Sequence, residues 1–244
     1  MAELYKEDLA HIHDAGFGGY ALGSAPGILA ILDRNRTRED LVVDLGCGSG
    51  LWAQELTKAG YRVLGIDVSK QMIAIARRRV PEAEFRVGSL FDADIPPCYA
   101  VTAVGEVLNY LLDPKGHSEG LLALFHRVYA ALVPGGAFIF DVAEPGQLLP
   151  GAVTRGFTEG EGWVVLVKTE EDAEKATLTR RIVTFRRITG YYRRDDEVHR
   201  LRLHKSTEVA EQLREAGFRV RTMRSYGRYR LPGAHTAFVA RKPA

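Results

Sequence analysis

The chain is poor in sulfur: two cysteines, Cys47 and Cys98, and three methionines in 244 residues. Two thiols supply neither a disulfide framework nor a zinc-ligand spacing. No apolar run approaches the ~18–20 residues of a membrane span. The opening stretch, MAELYKEDLAHIHD, lacks the apolar centre of a signal peptide and is too acidic for a transit peptide. Repeats and low-complexity tracts are absent, which excludes solenoids and disordered linkers. A surplus of one charge is also missing, because 33 basic side chains stand against 31 acidic ones. With 46% hydrophobic residues the composition is that of an ordinary globular protein, long enough for one large core. The expectation is a cytoplasmic protein that meets no membrane, either a monomer or a homodimer.

The balanced total hides an uneven distribution. Residues 1–143 carry 13 basic and 18 acidic side chains, a balance of −5, whereas residues 144–244 carry 20 and 13, a balance of +7. The basic second half reads either as solvated, arginine-rich strand faces or as a surface for an anionic partner such as nucleic acid.

Residues 3–13 and 25–34 have helical spacing, joined by the glycine-rich GFGGYALGS. From residue 41 strands and helices alternate. LVVDLGC (41–47) is a buried strand, and GLWAQELTKAG (50–60) a helix stopped by Gly60. RVLGID (62–67) is a second strand, followed by a helix that Ser69 can cap and Pro81 must end. EFRVGS (84–89) and YAVTAVGEV (99–107) are the next strands. A helix over about 118–132 leads through VPGG into the strand AFIFDVA (137–143). Such alternation predicts an α/β, doubly wound, mostly parallel sheet with helices on both faces. After residue 150 the pattern changes to three antiparallel strands, WVVLVKTE, ATLTRRIVTFRR and EVHRLRLHK, with EDAEK and YYRRDD as turns. The helix STEVAEQLREAGF (206–218) and two strands, 219–227 and 235–242, finish the chain. The organisation expected is an N-terminal helical cap (1–40), a main domain (41–150 and 206–244), and an antiparallel β insertion (151–205) covering the active site.

A fingerprint for dinucleotides is lacking as well. The loop in VVDLGCGSG (42–50) reads G-x-G-x-G, at Gly46, Gly48 and Gly50, in place of G-x-G-x-x-G. Asp44 stands two residues ahead of it. A carboxylate there would repel a diphosphate and suit a ligand carrying an ammonium and a sulfonium. Asp67, at the end of the second strand, is placed to accept hydrogen bonds from two ribose hydroxyls.

Taken in order, VVDLGCGSG (42–50), LGIDVSKQMIAIAR (64–77), FRVGSL (85–90), LNYL (108–111) and LVPGGAFIFD (132–141) resemble the class I S-adenosylmethionine-dependent methyltransferases. The resemblance covers about residues 40–143 and the final helix and strands. It implies a seven-stranded sheet in the order 3-2-1-4-5-7-6, strand 7 antiparallel, with S-adenosylmethionine as cofactor and S-adenosylhomocysteine as its product. By the same resemblance Asp44, Gly46, Cys47, Gly48 and Gly50 surround the methionine part, and Asp67 holds the ribose. Val68 and Met72 flank the adenine on one side and Leu90 on the other. Gly105 and Glu106 lie beside the sulfonium and the methyl acceptor. Where many members carry an aspartate facing the adenine amino group, this chain has Ser89, whose hydroxyl could accept the same bond, with Asp92 as a substitute. Met72 and Leu90 would serve equally as plain core residues, and Cys47 as a small loop residue without redox chemistry.

Methyl transfer needs an aligned nucleophile and a dry site, and a general base only if the acceptor must lose a proton. No metal is required, and His11 and His13, two residues apart, would not share a helix face. The N-P-P-Y and D-P-P-Y runs of enzymes that methylate amino groups of bases or glutamine are missing; GEVLNY stands there instead. Glu106 and Tyr110, then Asn109, are the wall residues expected beside the acceptor, with Asn109 and Tyr110 open also to capping and packing roles. His13 is a candidate base on a lid formed by the glycine-rich stretch that includes Tyr20. Tyr191, Tyr192, Tyr226 and Arg228, among interleaved tyrosines and arginines, are candidates for substrate contact. The leading reading is methyl transfer to an O or N nucleophile of a small molecule by in-line displacement. The alternatives are an RNA or protein methyltransferase using the basic second half, and an S-adenosylmethionine-binding module without catalysis.

Overall fold

The computed structural model describes residues 4–33, 40–111 and 117–244. Its elements run α1 (Glu7–Gly16), α2 (Gly19–Leu32), β1 (Leu41–Leu45), α3 (Leu51–Lys58), β2 (Arg62–Asp67), α4 (Lys70–Arg79), β3 (Glu84–Val87), β4 (Cys98–Ala103), α5 (His117–Ala131) and β5 (Leu132–Ala143). After these come β6 (Val153–Gly160), β7 (Trp163–Asp172), β8 (Thr177–Ile188), β9 (Tyr191–Arg202), α6 (Ser206–Glu215), β10 (Arg219–Met223), β11 (Ser225–Tyr226), β12 (Tyr229–Arg230) and β13 (His235–Arg241). The main sheet has the order β3-β2-β1-β4-β5-β13-β10. β13 runs antiparallel to both of its neighbours, and the other pairings in this sheet are parallel. This is the expected order 3-2-1-4-5-7-6.

Strand period explains the two-sided core. Val42 and Ile139 face one layer, packed on Ile28, Trp52 and Leu56 from α2 and α3. Their neighbours Val43, Phe138 and Phe140 face the other, packed on Leu124, Phe125 and Leu213 from α5 and α6. Phe140 lies directly opposite Phe238 in the register, their rings stacked 4.8 Å apart. Truncating such a buried ring costs on the order of 3–5 kcal/mol. Ser69 caps α4, its Oγ accepting the Met72 N–H at 3.2 Å, as its position before the helix predicts.

The structure differs from the sequence expectations in several places; the strand expected over 99–107 ends at Ala103, and the one over 219–227 is broken into β10 and β11. GFGGYALGS belongs largely to α2, which starts at Gly19 and carries Pro26 inside it. The glycines there serve close approach: a Cβ on Gly27 would sit 2.2 Å from the Tyr226 backbone carbon. Packing of the β11–β12 hairpin against α2 overrides the low helix propensity. The insertion has four strands in the order β6-β7-β8-β9, and β6, exposed along its whole length, lacks the alternation that marks a strand. YYRRDD lies inside β9; the turn before it is Thr189–Gly190, both left-handed at φ 45° and 96°, which suits a tight hairpin. β5 begins at Leu132, so VPGG is part of the strand. Residues 3 and 34, the ends of two expected helices, lie outside the described residues.

α1 is fastened to the insertion by charge. Asp8, 2% exposed, accepts two hydrogen bonds from Arg193, both at 2.6 Å, and one from Arg186 at 3.2 Å. Lys6 pairs with Asp195. Leu9 and Ile12 pack against Trp163, Val165 and Ile182. The acidic first half and the basic second half thus meet across this contact. Among the described residues no single helix is long and apolar enough to cross a membrane.

Candidate active site

A cavity of about 610 Å³ opens at the carboxyl ends of β1, β2 and β4 and is covered by α1, α2 and the inner face of β7–β9. Ligands in such sheets bind at this end, where the strand order reverses. One half is built from β1, β2 and the turns after them. The β1 turn is left-handed at Gly46, Gly48 and Gly50 (φ 68°, 52° and 79°). A Cβ on Gly46 would meet Val107 at 2.3 Å, whereas one on Gly48 meets no atom within 4 Å. Gly48 therefore bares its backbone to the cavity.

Two carboxylates line this half. The Asp44 Oδ1 accepts the Thr102 hydroxyl at 2.8 Å, and Thr102 in turn accepts the Trp52 indole N–H at 3.1 Å. Burial pushes Asp44 up to about 7, against the Thr102 hydrogen bond, and the Asp67 charge adds to the rise. Asp67 accepts the Gly48 N–H at 2.9 Å and the Ser69 N–H at 2.8 Å, and burial raises it too. Each oxygen keeps a lone pair for a hydroxyl. Val68, Met72 and Leu90 add apolar walls. Among the lining residues of this half there is no lysine, arginine or histidine. Buried acid without a counter-cation fits the ammonium and sulfonium of S-adenosylmethionine and disfavours a diphosphate. Asp44 and the glycine turn would hold its methionine part, Asp67 its ribose, and Met72 with Leu90 its adenine.

The other half is assembled from distant stretches. After β4 the chain turns through Gly105 (φ 94°) and Glu106 (φ 55°), the latter a left-handed conformation that costs a bulky residue energy. Asp141, fully buried on β5, holds the turn by accepting the N–H groups of Gly105 at 2.9 Å and Glu106 at 2.7 Å. The Glu106 carboxylate is gripped by both guanidinium nitrogens of Arg180 on β8 and by His235 Nε2 at 3.3 Å. Burial opposes its charge, yet the bonds from His235 and Arg180 hold it below the usual carboxylate range. His235 Nδ1 lies 2.8 Å from the Gly233 carbonyl oxygen. Burial alone would lower His235, but its bonds to Glu106 and Gly233 carry it above its ordinary value. Acceptor oxygens at both nitrogens favour its protonated form.

Beside this cluster the Tyr5 and Tyr110 hydroxyls meet at 2.8 Å, and burial raises both, Tyr5 well above its ordinary value. His199 on β9 lines the cavity, its Nε2 2.8 Å from Glu197. His13 lines it too, its Nδ1 buried without a hydrogen-bond partner, and burial pushes it down to about 4. The buried Tyr20 hydroxyl lies near Asp141, whose charge opposes its ionisation, without a hydrogen bond of regular geometry.

Of the residues expected at the site, Asp44, Gly46, Cys47, Gly48, Asp67, Val68, Met72, Leu90, Gly105, Glu106, Tyr110, His13 and Tyr20 line the cavity together. Others are placed elsewhere. Gly50 caps α3. Ser89 Oγ accepts the Phe91 N–H at 3.2 Å, and Gly88 and Leu90 face the cavity on either side of it. Asn109 is spent on structure: its amide donates to the carbonyls of Ala143 (2.9 Å) and Arg202 (2.6 Å), and its oxygen accepts the Ala143 N–H. Tyr226 is fully buried with its hydroxyl 3.3 Å from Asp141, while Tyr191, Tyr192 and Arg228 are exposed outside the cavity. Sequence reading missed Tyr5, Arg180, Glu197, His199 and His235. One signal was present: in EVHRLR the inward positions are Glu197, His199 and Leu201, whereas Val198 faces out. A strand that buries an acid and a histidine and exposes a valine has turned polar groups toward a site.

Comparison with known proteins agrees with this geometry. Residues 42–136 match the family model described as a methyltransferase domain. The chain is 28% identical over 231 residues to dTDP-3-amino-3,6-dideoxy-alpha-D-glucopyranose N,N-dimethyltransferase of Streptomyces fradiae, covering 91% of this chain and 85% of that one. Its fold is similar to that of an S-adenosylmethionine-dependent methyltransferase from Clostridium acetobutylicum, with a TM-score of 0.81, 19% identity, and 96% and 98% of the two chains covered. It is likewise similar to that of a sugar N-methyltransferase from Streptoalloteichus, with a TM-score of 0.78, 19% identity, and 100% and 94% covered. The glycine turn with its two buried acids, the sheet order and these likenesses agree: residues 42–136 form a methyltransferase domain of the class I S-adenosylmethionine-dependent type.

Proposed function

We propose that the chain methylates an O or N nucleophile of a small molecule, with the amino group of a nucleotide-linked sugar as the first acceptor to test. The observation that carries this reading is the roof over the cavity. α1 and the inner faces of β7, β8 and β9 cover the acceptor half among the described residues, leaving a cleft of small-molecule size, about 610 Å³. Four arginines of the basic second half are held by acids of this chain: Arg180 by Glu106, Arg186 and Arg193 by Asp8, Arg224 by Glu144. The Streptomyces fradiae relative, by its name, dimethylates the amino group of such a sugar.

When bound, the cofactor supplies an electrophilic methyl group on a positively charged sulfur. The residues of the chain do the rest by placement. Asp44 and the glycine turn fix the cationic end of the cofactor. Gly105 and Glu106, held by Asp141, form the wall where both halves of the cavity join. Glu106 is not the base, because Arg180 and His235 keep it ionised and saturated. Leu9, Phe17, Val165 and Ile182 exclude water from the roof. The test is S-adenosylhomocysteine release on incubation with S-adenosylmethionine and dTDP-3-amino-3,6-dideoxyglucose, a panel of amino sugars and phenols, and tRNA. Turnover with a small acceptor supports the reading; turnover with tRNA alone sinks it.

A further inference from the structure

We propose that His199, gripped through Nε2 by the Glu197 carboxylate, takes the proton from the methyl acceptor, and that Glu197 is its positioning residue. This rests on the small-molecule reading above and names a group on which that reading is silent.

The tautomer follows from the neighbours. Glu197 Oε2 already accepts the Tyr5 N–H at 2.7 Å, and Oε1 the Lys6 N–H at 2.8 Å. A carboxylate so engaged acts toward His199 as an acceptor. Nε2 therefore carries the hydrogen, and Nδ1 is left with the lone pair. The ring is 1% exposed and packed between Tyr5 (centroids 4.9 Å) and Tyr110 (5.7 Å), so its orientation is fixed while it lines the cavity. A carboxylate behind one nitrogen of an imidazole whose ring lines the cavity is the arrangement that orients a base and stabilises the imidazolium it becomes.

The other groups of the chamber are unsuited to the task. His235 has both ring nitrogens engaged by oxygens of the chain, Gly233 and Glu106, so neither is left for the acceptor. Glu106 is saturated by cations. Tyr5, Tyr20 and Tyr110 keep their hydroxyl protons because burial raises all three. His13 has no carboxylate hydrogen-bonded behind it, and burial makes it a weak base. It remains a hydrogen-bond acceptor.

With an amine acceptor the ammonium gives its proton to His199 Nδ1, which frees the nitrogen lone pair. The N–C bond then forms as the S–C bond breaks, and the electron pair of the broken bond stays on sulfur. The methylated nitrogen leaves as an ammonium, and the His199 proton returns to solvent when the chamber opens.

That opening is built into the same contacts. The two N–H groups on Glu197 belong to Tyr5 and Lys6, just ahead of α1. The Tyr5 carbonyl also accepts the Ser69 hydroxyl at 2.9 Å, at the cap of α4 beside Asp67. One short segment therefore touches the cofactor half and completes the base. Seating it over the cavity sets Glu197, and through it His199, at the moment the chamber is closed.

The test uses the full chain, S-adenosylmethionine and dTDP-3-amino-3,6-dideoxyglucose as the acceptor probe. His199→Ala is expected to lower kcat by about a hundredfold and to change KM for S-adenosylmethionine by less than about threefold. Added imidazole should restore part of the rate. Glu197→Gln is expected to lower kcat by about tenfold. Thermal melting and S-adenosylhomocysteine affinity verify folding, and His199→Asn replaces the alanine variant if that one does not fold. If His199→Ala keeps kcat within about threefold while the amino sugar is still methylated, the assignment is overturned and the substrate reading stands. If the wild-type chain leaves the probe untouched, the substrate reading fails, and ¹⁵N spectra of histidine-labelled chain bound to S-adenosylhomocysteine judge the pair alone. The expected spectrum shows His199 as a single Nε2–H tautomer that becomes a mixture in Glu197→Gln. A His199 signal indifferent to that substitution overturns the proposal.

Discussion

The two halves of the cavity are built on opposite plans. The cofactor half draws its glycines and both carboxylates from residues 44–67, with Met72 and Leu90 close behind in the chain. Its decisive contacts are local or bridge adjacent strands, as when Asp67 at the end of β2 accepts the Gly48 N–H. The acceptor half joins residues 5, 13, 106, 110, 180, 199 and 235, which meet only when β8, β9 and β13 are in place. There Glu106 is held by a residue 74 positions away and another 129 positions away. A part made of neighbouring residues keeps a readable spacing. A part made of distant ones keeps only their chemistry.

The largest effect expected from breaking one half falls on the glycine turn. Gly48 is left-handed at φ 52°, and its missing Cβ points into space the ligand must fill. Gly48→Val should strain the turn as well as fill that space, and weaken S-adenosylhomocysteine binding by about a thousandfold or more, over 4 kcal/mol, in calorimetry, with thermal melting to verify the fold. Normal binding would place the cofactor elsewhere.

The matching break in the other half falls on stability. Arg180→Met strands the Glu106 carboxylate, whose side chain is 14% exposed, with His235 as its remaining partner. The expected loss is about 3 kcal/mol in urea unfolding, and adding Glu106→Gln should recover much of it, since the second charge no longer lacks a partner. Equal costs for the single and double variants would show that the pair acts through packing alone.

Asp67→Ala removes the acceptor for Gly48 and Ser69 together with the proposed ribose contact. Affinity for the cofactor should fall about tenfold by calorimetry. Unchanged affinity would refute the ribose assignment. Next in size is the effect of pH through Asp44. Burial raises this group to about 7. Its contribution to stability is full below the unfolded value near 4 and is lost as pH climbs through about 7, where the buried group must ionise. A bound cation offsets that cost. Affinity for S-adenosylmethionine should rise roughly fivefold between about pH 5.5 and pH 7.5 and then level off, with protons released on binding at the lower pH. The thermal shift caused by the ligand should be larger at the higher pH. The slope should disappear in Asp44→Asn.

The same contrast decides what could be read before the fold was known. The parallel strands were legible because burial follows their continuous apolar runs, and the sheet order came from the resemblance carried by Asp44, the glycines and Asp67 at their offsets from those strands. The residues expected to hold the cofactor came with that resemblance, and most of them line the cavity. Ser89 illustrates the limit of reading by position: its hydroxyl turns back to the Phe91 N–H, so the cavity wall passes through Gly88 and Leu90 instead. Asn109 looked like a wall residue and is a three-bond tie between β5 and β9. Arg180 and His199 were inside quoted strands, but arginine and histidine on an amphipathic strand read as solvent-facing until the partner surface, α1 and the Glu106 turn, is known. No local rule announces that a strand will be roofed by a helix 170 residues earlier in the chain.

The smallest effect tests that limit directly. Tyr191 stands beside an arginine pair in a stretch that suggests a stacking surface, yet it is 82% exposed at the hairpin tip that opens β9. Neither it nor its strand partner Ile188 is among the residues that line the cavity. Tyr191→Ser should leave kcat/KM for a small acceptor within about twofold of the wild type, as surface changes away from a site do. A tenfold loss with that acceptor would mean that the hairpin folds inward during turnover, and the contrast between a local and an assembled half would then extend to a third, moving part.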